Sequence, residues 1–387
     1  MHPDRWFGVG SAEGLAPGAG SLAAAEAILH ADPKLLVVFC SSSHDLPALL
    51  EEIRGRSGEA ALVGCSTAGE ITTAGPRTDS VVIAAFGGEG FAVDTAVATD
   101  ASRDLRAAGA LASRCLPERD DLPHKVLLVL TDGLAGDQQE VLRGAHSVLG
   151  AAVPLVGGCA GDDLQMTRTH QLYDDQVLTD SVVAAGIAST APFGIGVRHG
   201  WRRVGEPMLV TSSGGNRVHT LDDRPALDVY LEHLGVTEHD NWSQERFAEF
   251  ALTHPLGLGR PNDEDLARFI SGADLCEGSL SCIAEIPQGA LVWIMEGDAR
   301  SVLEAAAAAG RDSLIALDGA APLGLVAFDC IARRDVLKDE DRRAEIDRLT
   351  SSAPGVPVAG FYTYGEIART RGVRGFHNQT LVVLSVG

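Results

Sequence analysis

One pattern, written three times along the chain, limits what this sequence can fold into. An apolar run of strand length is followed by an amphipathic segment, a second apolar run and a turn of small polar residues. The copies open at 35–40 (LLVVFC), 126–131 (VLLVLT) and 324–334 (GLVAFDCIARR). Unbroken Val, Ile and Leu runs are typical of strands covered on both faces, and such segments fit crossovers between parallel strands. The pattern predicts an α/β protein with two lobes of mixed β-sheet, built from repeated βαβ units and covered by helices.

The turns that close the copies are also alike. Residues 61–71 (ALVGCSTAGEI) and 356–367 (VPVAGFYTYGEI) both end on Gly-Glu-Ile. The strands after the first two turns match almost literally, with TDSVVIAAF at 78–86 and TDSVVAAGI at 179–187. These matches favour an internal duplication over a chance similarity between unrelated βαβ segments.

Length and charge narrow the class of protein. A chain of 387 residues exceeds one typical core, and we expect two domains, residues 1–192 and 193–387. The formal net charge of -22 argues against binding to nucleic acid or to an anionic membrane. No apolar run approaches the roughly 20 residues that span a bilayer, and the first residues lack a signal-peptide core. We therefore expect a cytoplasmic protein.

Motifs for catalysis and for metal binding are weak. The seven cysteines include no Cys-x-x-Cys pair, and most lie in or beside apolar strands, which predicts reduced, buried thiols and no zinc site. Walker A and G-x-S-x-G motifs are absent from the sequence. An enzyme would have to use Cys65, in its Gly-Cys-Ser turn, or the glutamates Glu70 and Glu366. We keep this as the second alternative.

Six segments, in this order, resemble proteins of the FIST family: VGCSTAGEI, VLLVLTDGL, PLVGGCAGDD, GNRVHTLDDRPALDVYLEHLG, FDCIARR, and GFYTYGEIA with FHNQTLVV. The resemblance runs from near residue 30 to the last residues and implies a FIST N-terminal domain followed by a FIST_C domain. It also implies a sensory module of signal transduction that binds a small ligand, with amino acids among the proposed ligands. A separate histidine kinase or another signalling protein would then be the partner.

Candidate ligand-binding residues lie in the turns, because parallel α/β sheets bind ligands beyond the carboxyl ends of their strands. Glu70 and Glu366 are the first candidates, since a carboxylate binds an amino group; alternatively, each caps backbone N–H groups of its own turn. Asp162 stands at the corresponding place in the middle copy. The predicted set is Ser66, Thr67, Glu70, Asp132, Arg333, Tyr362, Tyr364, Glu366 and Asn378.

Two further predictions concern arginine side chains, which could bind a carboxylate, and histidine side chains, which could bind haem. Arg333, with Arg334, could clamp a carboxylate through two hydrogen bonds or form an internal salt bridge. The resemblance implies haem-binding nitric-oxide sensors as the first alternative, and haem requires a histidine in an apolar cleft. His377 is the first candidate for that ligand, followed by His254 and His199. For the metabolite sensor we expect no cofactor.

Overall fold

A computed structural model describes residues 4–236, 242–259, 265–370 and 375–387. The protein is mixed α/β, with helices covering several mixed sheets, which confirms the predicted fold class. The helices in these ranges are α1 (Ala19–Ala27), α2 (Leu46–Ser57), α3 (Leu105–Ala112), α4 (Gln138–Leu149), α5 (Ala226–His233), α6 (Gln244–Ala251), α7 (Ala299–Ile315), α8 (Ile331–Val336) and α9 (Asp339–Thr350). Within the described residues, no helix is long and apolar enough to cross a membrane.

The strands divide at residue 200. Those before it are β1 (Trp6–Glu13), β2 (Pro33–Ser41), β3 (Ala61–Thr67), β4 (Glu70–Thr72), β5 (Gly75–Arg77), β6 (Ser80–Gly87), β7 (Phe91–Ala98), β8 (His124–Thr131), β9 (Leu155–Cys159), β10 (Gln171–Tyr173), β11 (Gln176–Leu178), β12 (Val182–Ser189) and β13 (Phe193–Arg198). Those after it are β14 (Arg202–Gly214), β15 (Arg217–Leu221), β16 (Arg224–Pro225), β17 (Leu256–Leu258), β18 (Leu266–Arg268), β19 (Ile270–Asp274), β20 (Ser279–Cys282), β21 (Leu291–Glu296), β22 (Gly324–Cys330), β23 (Val358–Thr363), β24 (Glu366–Arg369), β25 (Phe376–His377) and β26 (Leu381–Val386).

Local sequence accounts for the elements that surround the centre. The run 35–40 in β2 has no solvent exposure, and burying each Val or Leu side chain contributes roughly 1.5–3 kcal/mol. α2 and α4 both begin at an aspartate, Asp45 or Asp137, whose side chain accepts a backbone N–H of the first turn. Both end at a glycine with positive φ, Gly58 or Gly150, a conformation that other residues rarely adopt.

Three segments of the chain share one pattern of strand pairing. In each, two parallel strands are joined by a helical crossover, and a later strand lies antiparallel against the first of them. We name them the first unit (β2 to β6), the second unit (β8 to β12) and the third unit (β22 to β26). The outer strands β1, β7 and β13 pair with β6, β12 and β26. Each unit thus supplies the middle of one six-stranded sheet.

Each unit gives the hairpin that follows its turn to the sheet of another unit. β4–β5 of the first unit pairs with β23, β10–β11 of the second with β3, and β24–β25 of the third with β9. The exchange is cyclic, so that the three sheets interlock. Strands from both sides of residue 192 therefore share sheets.

The carboxyl ends of β3, β9 and β23 meet at the centre of the three sheets. Three equivalent backbone hydrogen bonds close the ring there: Ala68 N to Tyr362 O (3.0 Å), Gly161 N to Ser66 O (2.9 Å) and Tyr364 N to Cys159 O (3.4 Å). The turns that the sequence singled out are therefore neighbours in space, and we call the three sheets with their helices the core.

The described residues between 202 and 296 form a separate layer beside the core. They contribute an eight-stranded antiparallel sheet, ordered β18-β17-β21-β14-β15-β20-β19 with β16 paired to β15. α5 and α6 pack on this sheet through Tyr230 and Phe247. The chain then returns to the core through α7, which covers β13 and β26.

Candidate functional site

A cleft of about 590 Å³ lies between the core and the eight-stranded sheet. The core wall consists of the loop 133–137, the first turn of α4, and the rings of Tyr364 and Phe376. The opposite wall consists of the β14–β15 turn, with Asn216, and the segment 283–285 after β20. A cleft where two layers meet is a common place for a small-ligand site.

The first turn of α4 faces the cleft with the positive end of its helix dipole. Asp137 accepts the N–H of Gln139 at 3.0 Å, and Gly136 holds a φ of 120° in the turn before it. The N–H of Glu140 donates to the carbonyl of Asp137 at 3.0 Å, so that Asp137 caps two groups of this turn and the dipole is what remains to attract an anion.

The side chain of Gln138, in the same turn, has a hydrogen-bond acceptor that receives no hydrogen bond within the described ranges. Its side chain lines the cleft and is only 2% exposed. Nε2 donates to Asp132 O (2.9 Å) and Gly136 O (3.1 Å), which fixes the orientation of the amide. Oε1 then has no hydrogen-bond partner in the described part of the chain. A buried acceptor without a donor costs about 1–3 kcal/mol, and a ligand N–H would remove that cost.

An ion pair joins the two walls of the cleft. Arg143, on α4, contacts Glu140 on its own helix and Glu285 across the cleft at 3.2 Å. The carboxylate of Glu140, and then that of Glu285, raises the pKa of Arg143. These side chains are partly exposed, so that the contact contributes little to stability.

Tyr364 is the predicted site residue that lines this cleft. Its hydroxyl donates to Asp162 and accepts the N–H of Leu164 at 2.7 Å. Burial raises the pKa of Asp162, but the hydrogen bonds from Tyr364 and from the N–H groups of 166–168 outweigh it and lower that pKa. Tyr364 therefore connects the cleft to the loop 162–169, which Asp162 organises.

The prediction that Asp162 is the middle counterpart of Glu70 and Glu366 is wrong. Strand register places Gln171 there: Gln171 pairs with Cys65, as Glu366 pairs with Gly158 and Glu70 with Phe361. The reason is an insertion, since residues 162–169 of the second unit separate the turn from its hairpin. Gln171 supplies a neutral amide where the other two units have a carboxyl group.

Asp132 lies on the other side of the loop 133–137, in a smaller cleft of about 260 Å³. Its carboxylate accepts the N–H of Leu134 (2.9 Å), the hydroxyl of Thr169 (2.7 Å) and the N–H of Asp180 (2.9 Å). Both oxygens are therefore engaged by the protein. Asp132 holds the loop between the two clefts in place.

Ser66, Thr67 and Glu70 are buried near the centre of the core. Ser66 donates to Gly161 O at 2.7 Å, while Glu70 accepts the hydroxyls of Thr67 and Ser80, the latter at 2.6 Å. Burial raises the pKa of Glu70 to about 7. The contact of Ser66 reaches the second unit, whereas both hydroxyl donors to Glu70 belong to the first unit.

Glu366 and Asn378 occupy the third unit and are also buried. Glu366 accepts the N–H of Thr380 at 3.1 Å and the thiol of Cys330, and burial raises its pKa well above the usual value. Asn378 is 1% exposed, and neither amide atom has a partner among residues that the structure describes. Neither residue lines the cleft at Tyr364.

Tyr362 and Arg333 lie away from that cleft too. Tyr362 is fully buried beneath the guanidinium of Arg334, 5.4 Å from its ring centre. Arg333 is fully buried and contacts Asp329 at 2.8 Å and Glu345 at 2.6 Å. Its guanidinium is used in the internal salt bridge that was the alternative to a ligand clamp.

The three histidines considered for haem all make internal hydrogen bonds. His377 Nε2 lies 3.1 Å from Ala368 O, His254 Nδ1 lies 2.8 Å from Phe250 O, and His199 Nδ1 accepts the N–H of Trp201 at 2.9 Å. A hydrogen bond at one ring nitrogen leaves the other nitrogen for an axial ligand, and none of the three histidines lines the cleft at Tyr364. Haem binding at His377 stays a prediction.

Cys65, the candidate nucleophile, is fully buried, and burial raises the pKa of its thiol well above 9. A reactive cysteine needs an accessible thiolate, which this environment disfavours. The geometry therefore gives no support to catalysis at Cys65.

Sequence reasoning missed most of the cleft, namely Gln138, Arg143, Asn216 and Glu285. The helix start at Asp137 was a usable signal, because first-turn N–H groups bind anions. Nothing in the sequence connects that helix to the segment 283–285, because only tertiary packing brings the two walls together.

Comparison with known proteins identifies two matching family models. The FIST N domain matches residues 34–224, and the FIST C domain matches residues 226–369. "Uncharacterized protein Rv0628c" of Mycobacterium tuberculosis is 27% identical over 376 residues, which is 92% of this chain and 94% of that protein. "Uncharacterized protein Mb0898c" of Mycobacterium bovis is 27% identical over 243 residues, 58% of each chain. "Uncharacterized protein MJ1623" of Methanocaldococcus jannaschii is 27% identical over 180 residues, 44% of this chain and 34% of that protein.

Proposed function

This chain belongs to the FIST family, and we propose that it is a sensor that binds a small metabolite in the cleft between the core and the eight-stranded sheet. FIST domains are associated with sensing in signal transduction. An amino acid or a related metabolite is the proposed ligand. A separate signalling protein, such as a histidine kinase, would receive the signal.

The observation that carries this proposal is the Gln138 acceptor that has no donor among the described residues, in the first turn of α4. An amino acid has a carboxylate, which suits the positive end of the α4 dipole, and an ammonium group, which suits Oε1 of Gln138. Glu285 on the opposite wall offers a second acceptor for the ammonium group. The volume of about 590 Å³ accommodates a ligand of this size.

The position of the cleft also supports a sensing role. Its walls belong to two layers, and the contact from Arg143 to Glu285 crosses between them. A ligand that competes for either side chain would change how the layers are held together, and a change of this kind favours one of two conformations. Tyr364 extends the same effect to the loop 162–169 through Asp162.

A ligand screen with matched variants tests the proposal. We would titrate the protein with the proteinogenic amino acids and common organic acids, following the melting temperature and then the heat of binding. Gln138→Leu removes the acceptor together with the Nε2 donations to Asp132 O and Gly136 O. It should weaken binding by roughly 10- to 150-fold, because a hydrogen bond to a charged group contributes about 1.5–3 kcal/mol. Gln176→Leu, on the exposed edge strand β11, is the matched control and should bind as the parent does.

Two results would contradict the proposal. The first is a screen in which no amino acid or organic acid stabilises the parent protein. The second is a ligand whose affinity is the same for Gln138→Leu and for the parent, because such a ligand binds elsewhere.

A further inference from the structure

Three fully buried side chains of the third unit form one charged cluster: Asp329 on β22, Arg333 on α8 and Glu345 on α9. Arg333 Nε donates to Asp329 at 2.8 Å, and Nη2 donates to Glu345 at 2.6 Å. Arg333 Nη1 also donates to His199 O at 2.6 Å. We call these three residues the Asp329–Arg333–Glu345 cluster.

The cluster holds two carboxyl groups but one guanidinium. The remaining oxygens, Asp329 Oδ2 and Glu345 Oε2, receive no hydrogen bond from a donor group of the described residues. The two carboxyl groups accept from neighbouring nitrogens of one guanidinium, Asp329 from Nε and Glu345 from Nη2, and therefore lie side by side. Two carboxylates side by side in a site closed to water repel, and this repulsion is removed when they hold a proton between them.

The fold itself does not require this charge. Asp329 pairs with Leu381, and the equivalent positions are Cys40, which pairs with Val81, and Thr131, which pairs with Val182. The first and second units therefore form the same strand arrangement with an uncharged residue there. A buried charge that two equivalent units lack is costly, and this favours a role other than stability.

We infer that Asp329 and Glu345 share one proton, that α9 stays docked on the core only while this proton is present, and that the third unit is therefore a pH-sensitive switch. Glu345 connects α9 to β22, because it is the residue of the cluster that lies on α9. When the proton is lost, the two carboxylates repel with a single guanidinium between them, and α9 moves away from the strand.

Burial raises the pKa of both carboxyl groups, that of Glu345 well above its usual value. A group whose pKa is raised on folding stabilises the fold at low pH, and this contribution is lost as pH rises through the raised pKa. The switch therefore opens as pH rises.

Other charged and titratable groups face the cluster from the elements around it. Arg334 on α8 and Arg342 on α9 lie near Tyr362, whose ring adjoins both carboxyl groups. Glu366 on β24 and His199 before β14 also face Arg333. Burial lowers the pKa of His199 to about 4, so that it is neutral where the switch acts. Glu70 and Glu366 titrate as well, so a test must compare variants rather than pH values alone.

Hydrogen exchange of α9 in the intact chain tests the inference. E345Q keeps the shape, and its amide permanently donates to Asp329 and accepts from Arg333. In the parent, α9 should exchange at least about tenfold faster at pH 9 than at pH 6 after correction for intrinsic rates, because one pKa unit corresponds to a factor of ten. In E345Q this ratio should fall to near one. α4 of the second unit, which has Thr131 at the equivalent position, is the internal control.

The variant D329N repeats the test from the other side of the shared proton. Infrared spectra add a second readout, since the carbonyl band of a protonated carboxyl group should be present in the parent and weaker in E345Q. The inference fails if E345Q and the parent show the same pH dependence in α9. It also fails if E345Q and D329N both lose protection of α9 at pH 6, where the parent keeps it.

Discussion

The first and third units carry the same Gly-Glu-Ile turn but surround its glutamate differently. Glu70 accepts two hydroxyl groups, from Thr67 and Ser80, and its pKa is raised to about 7. Glu366 accepts one backbone N–H and one thiol, and burial raises its pKa well above the usual value. The number and strength of the donors decide how readily a buried carboxyl group ionises.

The second unit explains what the position needs. Gln171 stands there with a neutral amide, which accepts the N–H of Ser181 and donates to Thr169, both at 3.2 Å. A side chain that hydrogen-bonds the start of the next strand is therefore common to the three units. Where that side chain is a glutamate, burial raises its pKa.

The largest expected effect on stability comes from removing the counter-charge of the buried cluster in the third unit, which the first unit lacks. Arg333→Met leaves two carboxyl groups buried without a counter-charge, a change that typically costs about 3–5 kcal/mol. Denaturant unfolding at neutral pH measures this loss. Arg300→Ala, which breaks an exposed pair with Glu304, is the control and should change stability by no more than about 1 kcal/mol. Equal effects of the two substitutions would mean that the buried cluster of the third unit is not special.

A smaller effect distinguishes the two glutamates. For Glu70, a rise from the usual value of 4.5 to about 7 corresponds to about 3 kcal/mol. The parent should have this stabilisation in full below pH 4.5 and lose it as pH rises to 7 and above. Glu70→Gln should abolish that part of the pH dependence and leave the protein more stable than the parent at pH 8.

Glu366→Gln is the matched test in the third unit. Because burial raises the pKa of Glu366 well above its usual value, Glu366→Gln should become more stable than the parent as pH rises through that pKa. Both free energies of unfolding come from urea titrations between pH 4 and pH 9. If the stability of Glu366→Gln relative to the parent does not rise with pH, the interpretation of this turn is wrong.

The smallest effect concerns the insertion in the second unit. Tyr364→Phe removes the hydroxyl that joins the cleft to Asp162 and Leu164, which should cost about 1–2 kcal/mol. Amide exchange in the loop 162–169 should accelerate, while exchange in α4 should not. Tyr173→Phe is the control, since the hydroxyl of Tyr173 makes only long contacts, of 3.4 and 3.5 Å, with Thr95. Unchanged exchange in the loop would show that Tyr364 does not organise it.

Much of the fold was predictable because its signals are local. Unbroken apolar runs predicted the strands β2, β8 and β22, and these strands are buried, as that pattern indicates. Asp45 and Asp137 are local signals of the same kind, since each caps the helix that follows it. The prediction that Asp162 is equivalent to the two glutamates was wrong. The inserted residues 162–169 place the hairpin strand later in the sequence, while the turn before them still resembles the other two turns.

The candidate site was predictable only in part. The turns around Ser66 and Tyr362 do come together, but at a packed centre where their side chains are buried against one another. Tyr364 reaches a cleft because its neighbours in space, Gly133 and Phe376, leave its ring at the boundary of the core. Arg333 was a candidate ligand clamp until the fold placed Asp329 and Glu345 beside it.

The sequence by itself determined the strands, the crossover helices and the family of this protein, because apolar periodicity and capping residues act over a few positions. Tertiary structure alone decided which sheet each hairpin joins, since the same turn can lead its hairpin to any free edge and packing selects one. It also decided the cleft between α4 and the segment 283–285, and the proton state of the buried carboxyl groups. The cleft depends on the packing of segments that are distant in the chain, and the protonation of the carboxyl groups depends on burial and on distant hydrogen-bond donors. Neither feature has a local signal in the sequence.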